Sequence, residues 1–248
     1  MSFDAALLWA IATALIAGAT RGFSGFGGAL IFMPLVGAVF SPKLAAPTLL
    51  VIDTVLTLPM VLQAMRACIW RQVAPLGLGA VAAVPLGVWL LEEIDPVVLR
   101  WAIATLAVAL LMLLILGRGW QAPHSLAAKL GIGALSGMLG GAAQLSGPPV
   151  VVYWLGTGQN AALVRANLFA FFALTTLASG TAYVSRGLVT AEVLKLSLVL
   201  GPTYALGLVA GARGFRLAND RQFRLIAYWV IALSAVASVP LLDPLLRP

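Results

Sequence analysis

Two clusters of small and polar residues interrupt stretches that are otherwise apolar. The first runs Gly18-Ala19-Thr20-Arg21-Gly22-Phe23-Ser24-Gly25-Phe26-Gly27-Gly28 and continues to Pro34. The second runs from Gly133 to Pro149 and ends Gln144-Leu145-Ser146-Gly147-Pro148-Pro149. Arg165 and Asn167 follow shortly after, and Asp53 is the one acid deep inside an apolar run. Hydroxyls, amides and glycine N–H groups donate hydrogen bonds, and a helix N-terminus carries roughly half a positive charge. Where such residues sit at a break between two helices, they build an anion site with few cations. The candidate contacts are Arg21, Ser24, Gly25, Gly27 and Gly28 at the first break, and Gln144, Ser146, Gly147, Arg165 and Asn167 at or after the second. Asp53 can take up and release a proton, so it is the candidate coupling residue.

Each assignment has a plainer rival. Gly22 and Gly137 can simply let two helices pack closely. Asp53 can cap backbone at the first break, and Arg165 can mark a membrane boundary. The double proline favours function at the second break, because proline is expected to end a helix there and leave polar groups to be satisfied.

The elements that must position these residues are membrane spans. Of 248 residues, 62% are hydrophobic and 9% charged, whereas a soluble domain carries about 25% charged residues. The fold class is therefore all-α and polytopic. The net charge of +7 is not a nucleic-acid signal, because the basic residues cluster at segment ends. A single cysteine, Cys68, leaves no internal disulfide and no cysteine metal cluster. His124 reads as a solvated loop histidine with no second ligand nearby. No metal or cofactor site is expected. The N-terminal apolar run carries Asp4 rather than a positive n-region, so it reads as a retained first helix and not a signal peptide.

A span needs about 20 apolar residues. Ala5–Thr20 is short for one, and Gly22–Pro42 is glycine-rich in its first third. Full spans are expected over Leu44–Met65, Gln72–Leu91, Trp101–Gly117, Ala166–Ser185, Leu196–Ala212 and Leu225–Leu242. At each break two short helices should meet inside the membrane. Trp70, Trp89, Trp101, Trp120 and Trp229 suit interface anchoring.

An internal repeat is visible. A shift of 115 places Gly18 on Gly133, Gly22 on Gly137, Gly25 on Gly140 and Pro34 on Pro149. Val73–Leu91 resembles Val193–Gly211 at a shift of 120, with Gly87 on Gly207. At 124, Leu99-Arg100-Trp101 lines up with Phe223-Arg224-Leu225. The expected organisation is one integrated transmembrane domain of two inverted repeats, residues 1–122 and 123–248, each a broken region followed by three spans. Arg66, Arg71, Arg118, Lys129 and the Arg213–Arg224 cluster fall inside by the positive-inside rule. Glu92, Glu93 and Asp95 then fall outside, as do both termini.

Two glycine-rich, proline-ended signatures opening two four-segment halves resemble the TauE/SafE group, the sulfite exporter and organosulfonate permease family. The signature is carried by Gly25-Phe26-Gly27-Gly28 with Pro34, and by Gly140-Gly141 with Gly147-Pro148-Pro149. The resemblance covers essentially the whole chain. It implies a secondary transporter of a small sulfur-containing anion, such as sulfite or an organosulfonate. Coupling to protons or another ion, in the cell inner membrane, is implied with it. Arg21 before the first turn and Gln144 inside the second depart from the family pattern and leave the particular anion open. The rival classes are an anion channel and a membrane-embedded enzyme. The enzyme lacks support: there is no HExxH helix, Ser–His pair or paired intramembrane acid, and no P-loop for ATP. Expected partners are the anion, the lipid bilayer and protons, with no nucleic acid. Direction of transport and oligomeric state stay open.

Overall fold

A computed structural model describes residues 3–116, 125–159 and 161–215. Among the described residues every regular element is an α-helix. Helices α1 (Phe3–Ser24) and α2 (Gly28–Phe40) flank the first break. Three follow: α3 (Pro42–Ala67), α4 (Trp70–Glu93) and α5 (Pro96–Leu116). Helices α6 (Leu126–Ala143) and α7 (Gly147–Leu155) flank the second break, and α8 (Ala161–Ser185) and α9 (Ala191–Phe215) complete the described chain.

Six of these helices, α1, α3, α4, α6, α8 and α9, are long and apolar enough to cross a membrane. This corrects the expected breaks. Neither is a meeting of two short helices: α1 has 22 residues and α6 has 18. The short partners are α2 with 13 residues and α7 with 9, about 20 Å and 14 Å at the helical rise and too short to span. The glycines of the first cluster do not stop α1 at Thr20, because an α-helix accepts isolated glycine at about 1 kcal/mol each. The prolines also act differently from expectation. Pro34 lies inside α2, and Pro148 and Pro149 open α7. Proline at the start of a helix costs little, since the N–H it lacks has no helical partner there. The expected third span falls on α5, up to Leu116, whereas Leu225–Leu242, Trp120, Trp229 and His124 lie outside the described residues. Trp70, Trp89 and Trp101 are exposed.

The chain divides into two compact units, and neither coincides with one sequence half. The first takes α1, α2, α3 up to Ile52, most of α5, and α9. Its largest helix contact is α1 on α9. A side chain on Gly18 or Gly22 would strike the carbonyl of Tyr204 or Leu208, and one on Gly207 or Gly211 would strike that of Leu15 or Ala19. Contact numbers rise together, so α1 and α9 run parallel. In the same unit the Ser197 hydroxyl of α9 reaches the Thr48 carbonyl of α3 at 3.4 Å.

The second unit takes the rest of α3 together with α4, α6, α7 and α8. Here α4 packs on α6 in the same manner. Gly133 and Gly137 lie against the carbonyls of Leu76 and Ala80, and Gly79 lies against that of Leu130. These helices too run parallel. Where lipid is as apolar as the side chains, close backbone approach supplies the dispersion contacts that hold helices together. The α8 residue Asn167 takes up the Ile69 N–H before α4 at 2.9 Å.

The two sets of contacts share one register. Gly18 and Gly22 stand to Tyr204 and Leu208 as Gly133 and Gly137 stand to Leu76 and Ala80. The offset is 115 on one side and 128 on the other, with Gly207 in the place of Gly79. The sequence match at 120, which set Gly207 on Gly87, is two helical turns from this packing register. Apolar low-complexity segments align almost as well at several registers, and only backbone contact separates them.

Candidate functional site at the two helix breaks

The first break lies within the first unit. Arg21, in the last turn of α1, is buried at 6% exposure, and its Nη1 donates to the Gly25 carbonyl. The Gly25 N–H in turn donates to the Arg21 carbonyl at 2.9 Å. A cation at a helix C-terminus meets the negative end of the dipole, so Arg21 closes α1. Ser24 lies against the Thr20 and Phe26 carbonyls and accepts the Phe26 N–H at 3.2 Å. Gly25 and Gly27 adopt φ of 76° and 90°, a left-handed geometry that favours glycine. Gly27 then serves as N-cap of α2, which has no side-chain cap and no acid in its first turn. Buried Gly28 starts the helix beside the hydroxyl of Tyr204.

The second break lies within the second unit and is closed by other means. Gln144 is left-handed at φ 56°, an uncommon conformation for a residue other than glycine. Its N–H bonds the Gly140 carbonyl at 2.9 Å, and the Leu145 N–H reaches the Leu139 carbonyl at 3.2 Å. The Gln144 side chain donates through Nε2 to the Gly140 carbonyl and to the Tyr183 hydroxyl, each at 3.2 Å. Tyr183 of α8, fully buried, donates onward to the Gly141 carbonyl at 2.7 Å. A buried phenol seeks a partner, and these bonds hold the strained Gln144 in place. Sequence reasoning missed Tyr183; the one available signal was a polar tip inside an apolar span.

Ser146 is the N-cap of α7, exposed to only 7%, and makes no cap bond with its side chain. Pro148 and Pro149 supply no N–H. At this helix start, backbone donors remain at Ser146 and Gly147, with the Ser146 hydroxyl beside them. The double proline therefore removes donors that burial would have left unpaired, rather than creating them.

The remaining candidates lie elsewhere. Arg165 stacks over the Phe169 ring at 5.7 Å. Asn167 is fully buried in an amide cluster, donating to Gln72 Oε1 at 3.1 Å and Gln159 Oε1 at 3.4 Å, while Gln159 donates to Gln72 at 2.8 Å. That cluster ties the turn after α7 to the start of α4, and neither Gln72 nor Gln159 was singled out from sequence. Asp53 is half-buried in α3, and its carbonyl accepts the Thr57 hydroxyl at 2.7 Å. Thus the structure gathers Arg21, Ser24, Gly25, Gly27 and Gly28 at one break and Gln144, Ser146 and Gly147 at the other. It sets Asn167 in a separate cluster.

Compared with known protein families, residues 10–238 match the family described as Sulfite exporter TauE/SafE. The chain belongs to the TauE/SafE family. Searches of curated proteins and of solved structures found no match. Six span-length apolar helices and membership of a transporter family make this TauE/SafE chain a multi-pass membrane protein of transport type. Both glycine signatures that carried the resemblance lie within the matched residues.

Proposed function

We propose that the chain is a secondary transporter of a small sulfur-containing anion, sulfite or an organosulfonate, in the cell inner membrane. The anion is received at a helix N-terminus, at the start of α7 by Gly147 and the Ser146 hydroxyl; the N–H groups of Gly27 and Gly28 at the start of α2 offer the other unit's site of the same kind. Ser146 is the observation that carries the site. A hydroxyl at a buried N-cap normally bonds its own helix, and this one does not. Arg21, Ser24, Gly25 and Gln144 shape the breaks, since each donates to a backbone carbonyl there. Arg165 and Asn167 support the start of α8. Asp53 carries the coupling proton.

The chain is organised as two inverted repeats, residues 1–122 and 123–248. The shared packing register supports this, as do the Ser197–Thr48 and Ile69–Asn167 bonds: the donor Ser197 stands 128 residues after the donor Ile69, and the acceptor Asn167 stands 119 after the acceptor Thr48. Charge supports the orientation. In the second unit Arg71, Lys129 and Arg165 lie at the starts of the parallel helices α4, α6 and α8, with Glu92 at the far end. The positive-inside rule puts those starts in the cytoplasm.

The test is uptake of sulfite and of an organosulfonate into proteoliposomes, with and without an imposed pH gradient. Ser146→Ala should weaken anion binding by about tenfold or more, the loss of one charge-assisted hydrogen bond at ~1.5–3 kcal/mol. Asp53→Asn should still bind the anion yet fail to accumulate it against a gradient. Unaltered affinity in Ser146→Ala moves the site, and full accumulation by Asp53→Asn ends the coupling role. Flux that ignores the gradient in wild type indicates a channel.

A further inference from the structure

A groove of about 420 Å³ runs between α4 and α8. Val81, Pro85 and Val88 line it from α4, and Ala178 and Ala182 from α8. On α8 the lining positions recur at helical spacing, and small residues there leave the space open. Thr181 and Ser185 also face it, but their hydroxyls donate back to the Ala178 and Ala182 carbonyls at 2.9 Å, so they add no donors. The same two helices carry exposed apolar side chains, Leu78 and Leu86 on α4 and Leu177 and Val184 on α8, and three of the groove's own lining residues are apolar side chains of α4. Its walls are therefore those of a lipid-facing cleft, and its volume falls within the range of ligand sites.

One end is charged. Arg186, at the mouth, pairs through Nη1 with Glu92 Oε2 at 3.3 Å, and its side chain is 53% exposed against 21% for Glu92. A guanidinium has five donors, so one pairing leaves most of its edge for a phosphate. Glu92 lies four residues beyond Val88 on the same face of α4, and Glu93 is exposed beside it. The Glu92 carboxylate against this cation, with Glu93 next in the chain, disfavours a headgroup of net negative charge. The Arg186–Glu92 pair suits a zwitterion whose phosphate meets Arg186 and whose ammonium meets the Glu92 carboxylate.

We propose that this groove is a binding site for a phospholipid with a primary-ammonium headgroup, its acyl chain lying along Val81, Pro85, Val88, Ala178 and Ala182. The test uses the purified, detergent-delipidated full chain, reconstituted with phosphatidylethanolamine, phosphatidylcholine or phosphatidylglycerol. Thermal unfolding and native mass spectrometry are the readouts. The ethanolamine lipid should raise the unfolding midpoint most and remain bound in the mass spectrum. Arg186→Gln, a change at an exposed side chain, should abolish that preference. Ala182→Phe, which fills the groove, should release the lipid while Arg186 stays in place. Should Ala182→Phe fail to fold, Ala178→Leu provides the same obstruction with a smaller side chain. A wild-type protein that responds equally to all three lipids, or best to the glycerol lipid, overturns the proposal. So does retention of the ethanolamine preference in either groove-filling variant. Displacement of the lipid by sulfite or an organosulfonate would make the groove a substrate vestibule, and the lipid assignment would fall.

Discussion

Ser146 and Gln144 stand two residues apart and illustrate how differently two polar side chains can serve one helix break. Gln144 spends its amide on the end of α6, while Ser146 leaves its hydroxyl unused at the start of α7. Between them, Tyr183 decides how firmly the break is held. Tyr183→Phe keeps the ring and removes the oxygen that serves both the Gly141 carbonyl and the Gln144 amide. Leaving buried polar groups without partners costs about 1–3 kcal/mol. The variant should unfold at a measurably lower temperature in detergent, and an unchanged midpoint would show that water replaces the phenol. The functional consequence follows from geometry: a freed Gln144 loses its left-handed hold, and anion affinity should fall along with stability.

Helix pairs are the next scale, and glycine backbone contact sets their distance. Gly137 lies directly against the Ala80 carbonyl, whereas Gly131, exposed on the same helix, has nothing nearby for an added methyl to meet. Gly137→Ala should therefore force α4 and α6 apart at a cost of roughly 1–3 kcal/mol or more. Gly131→Ala should be neutral or gain up to about 1 kcal/mol from helix propensity. Yield of folded protein and thermal midpoint of the two variants, measured side by side, check this. Equal behaviour would mean that the pair is not held by backbone contact. Gly22, against the Leu208 carbonyl in the other unit, should behave as Gly137 does.

At the scale of the whole molecule the open property is orientation in the membrane. Cys68 lies in the turn between α3 and α4, flanked by Arg66 and Arg71, and is the sole thiol. It should react with a maleimide only when the reagent reaches the cytoplasmic side. Labelling of intact cells by an impermeant maleimide would reverse the proposed orientation. Burial pushes the Cys68 thiol above its usual pKa, offset in part by a backbone hydrogen bond. Because the thiolate is the reactive form, its fraction grows as pH rises toward that raised value. Labelling of inverted vesicles should accordingly be slow near neutrality and accelerate with pH, more so than for a free thiol in solution.

Composition alone determined that this is a helical membrane protein, because hydrophobic length and the near absence of charge act locally and need no partner to be read. The two breaks were legible for the same reason: Gly25, Gly27 and the Pro148-Pro149 pair restrict or free the backbone wherever they occur. The family resemblance followed from those residues. Tertiary structure decided what lay between distant segments. That α1 pairs with α9, and α6 with α4, depends on which glycines meet which carbonyls, and many apolar helices with small residues offer similar faces. The same is true of Gln144, whose left-handed conformation has no local cause and rests on Tyr183 thirty-nine residues away. It applies also to Asn167, whose buried bonds to Ile69, Gln72 and Gln159 join segments far apart in sequence. Local backbone preference is written residue by residue, whereas hydrogen-bond satisfaction in a buried, water-poor interior is settled only by what folding brings within reach.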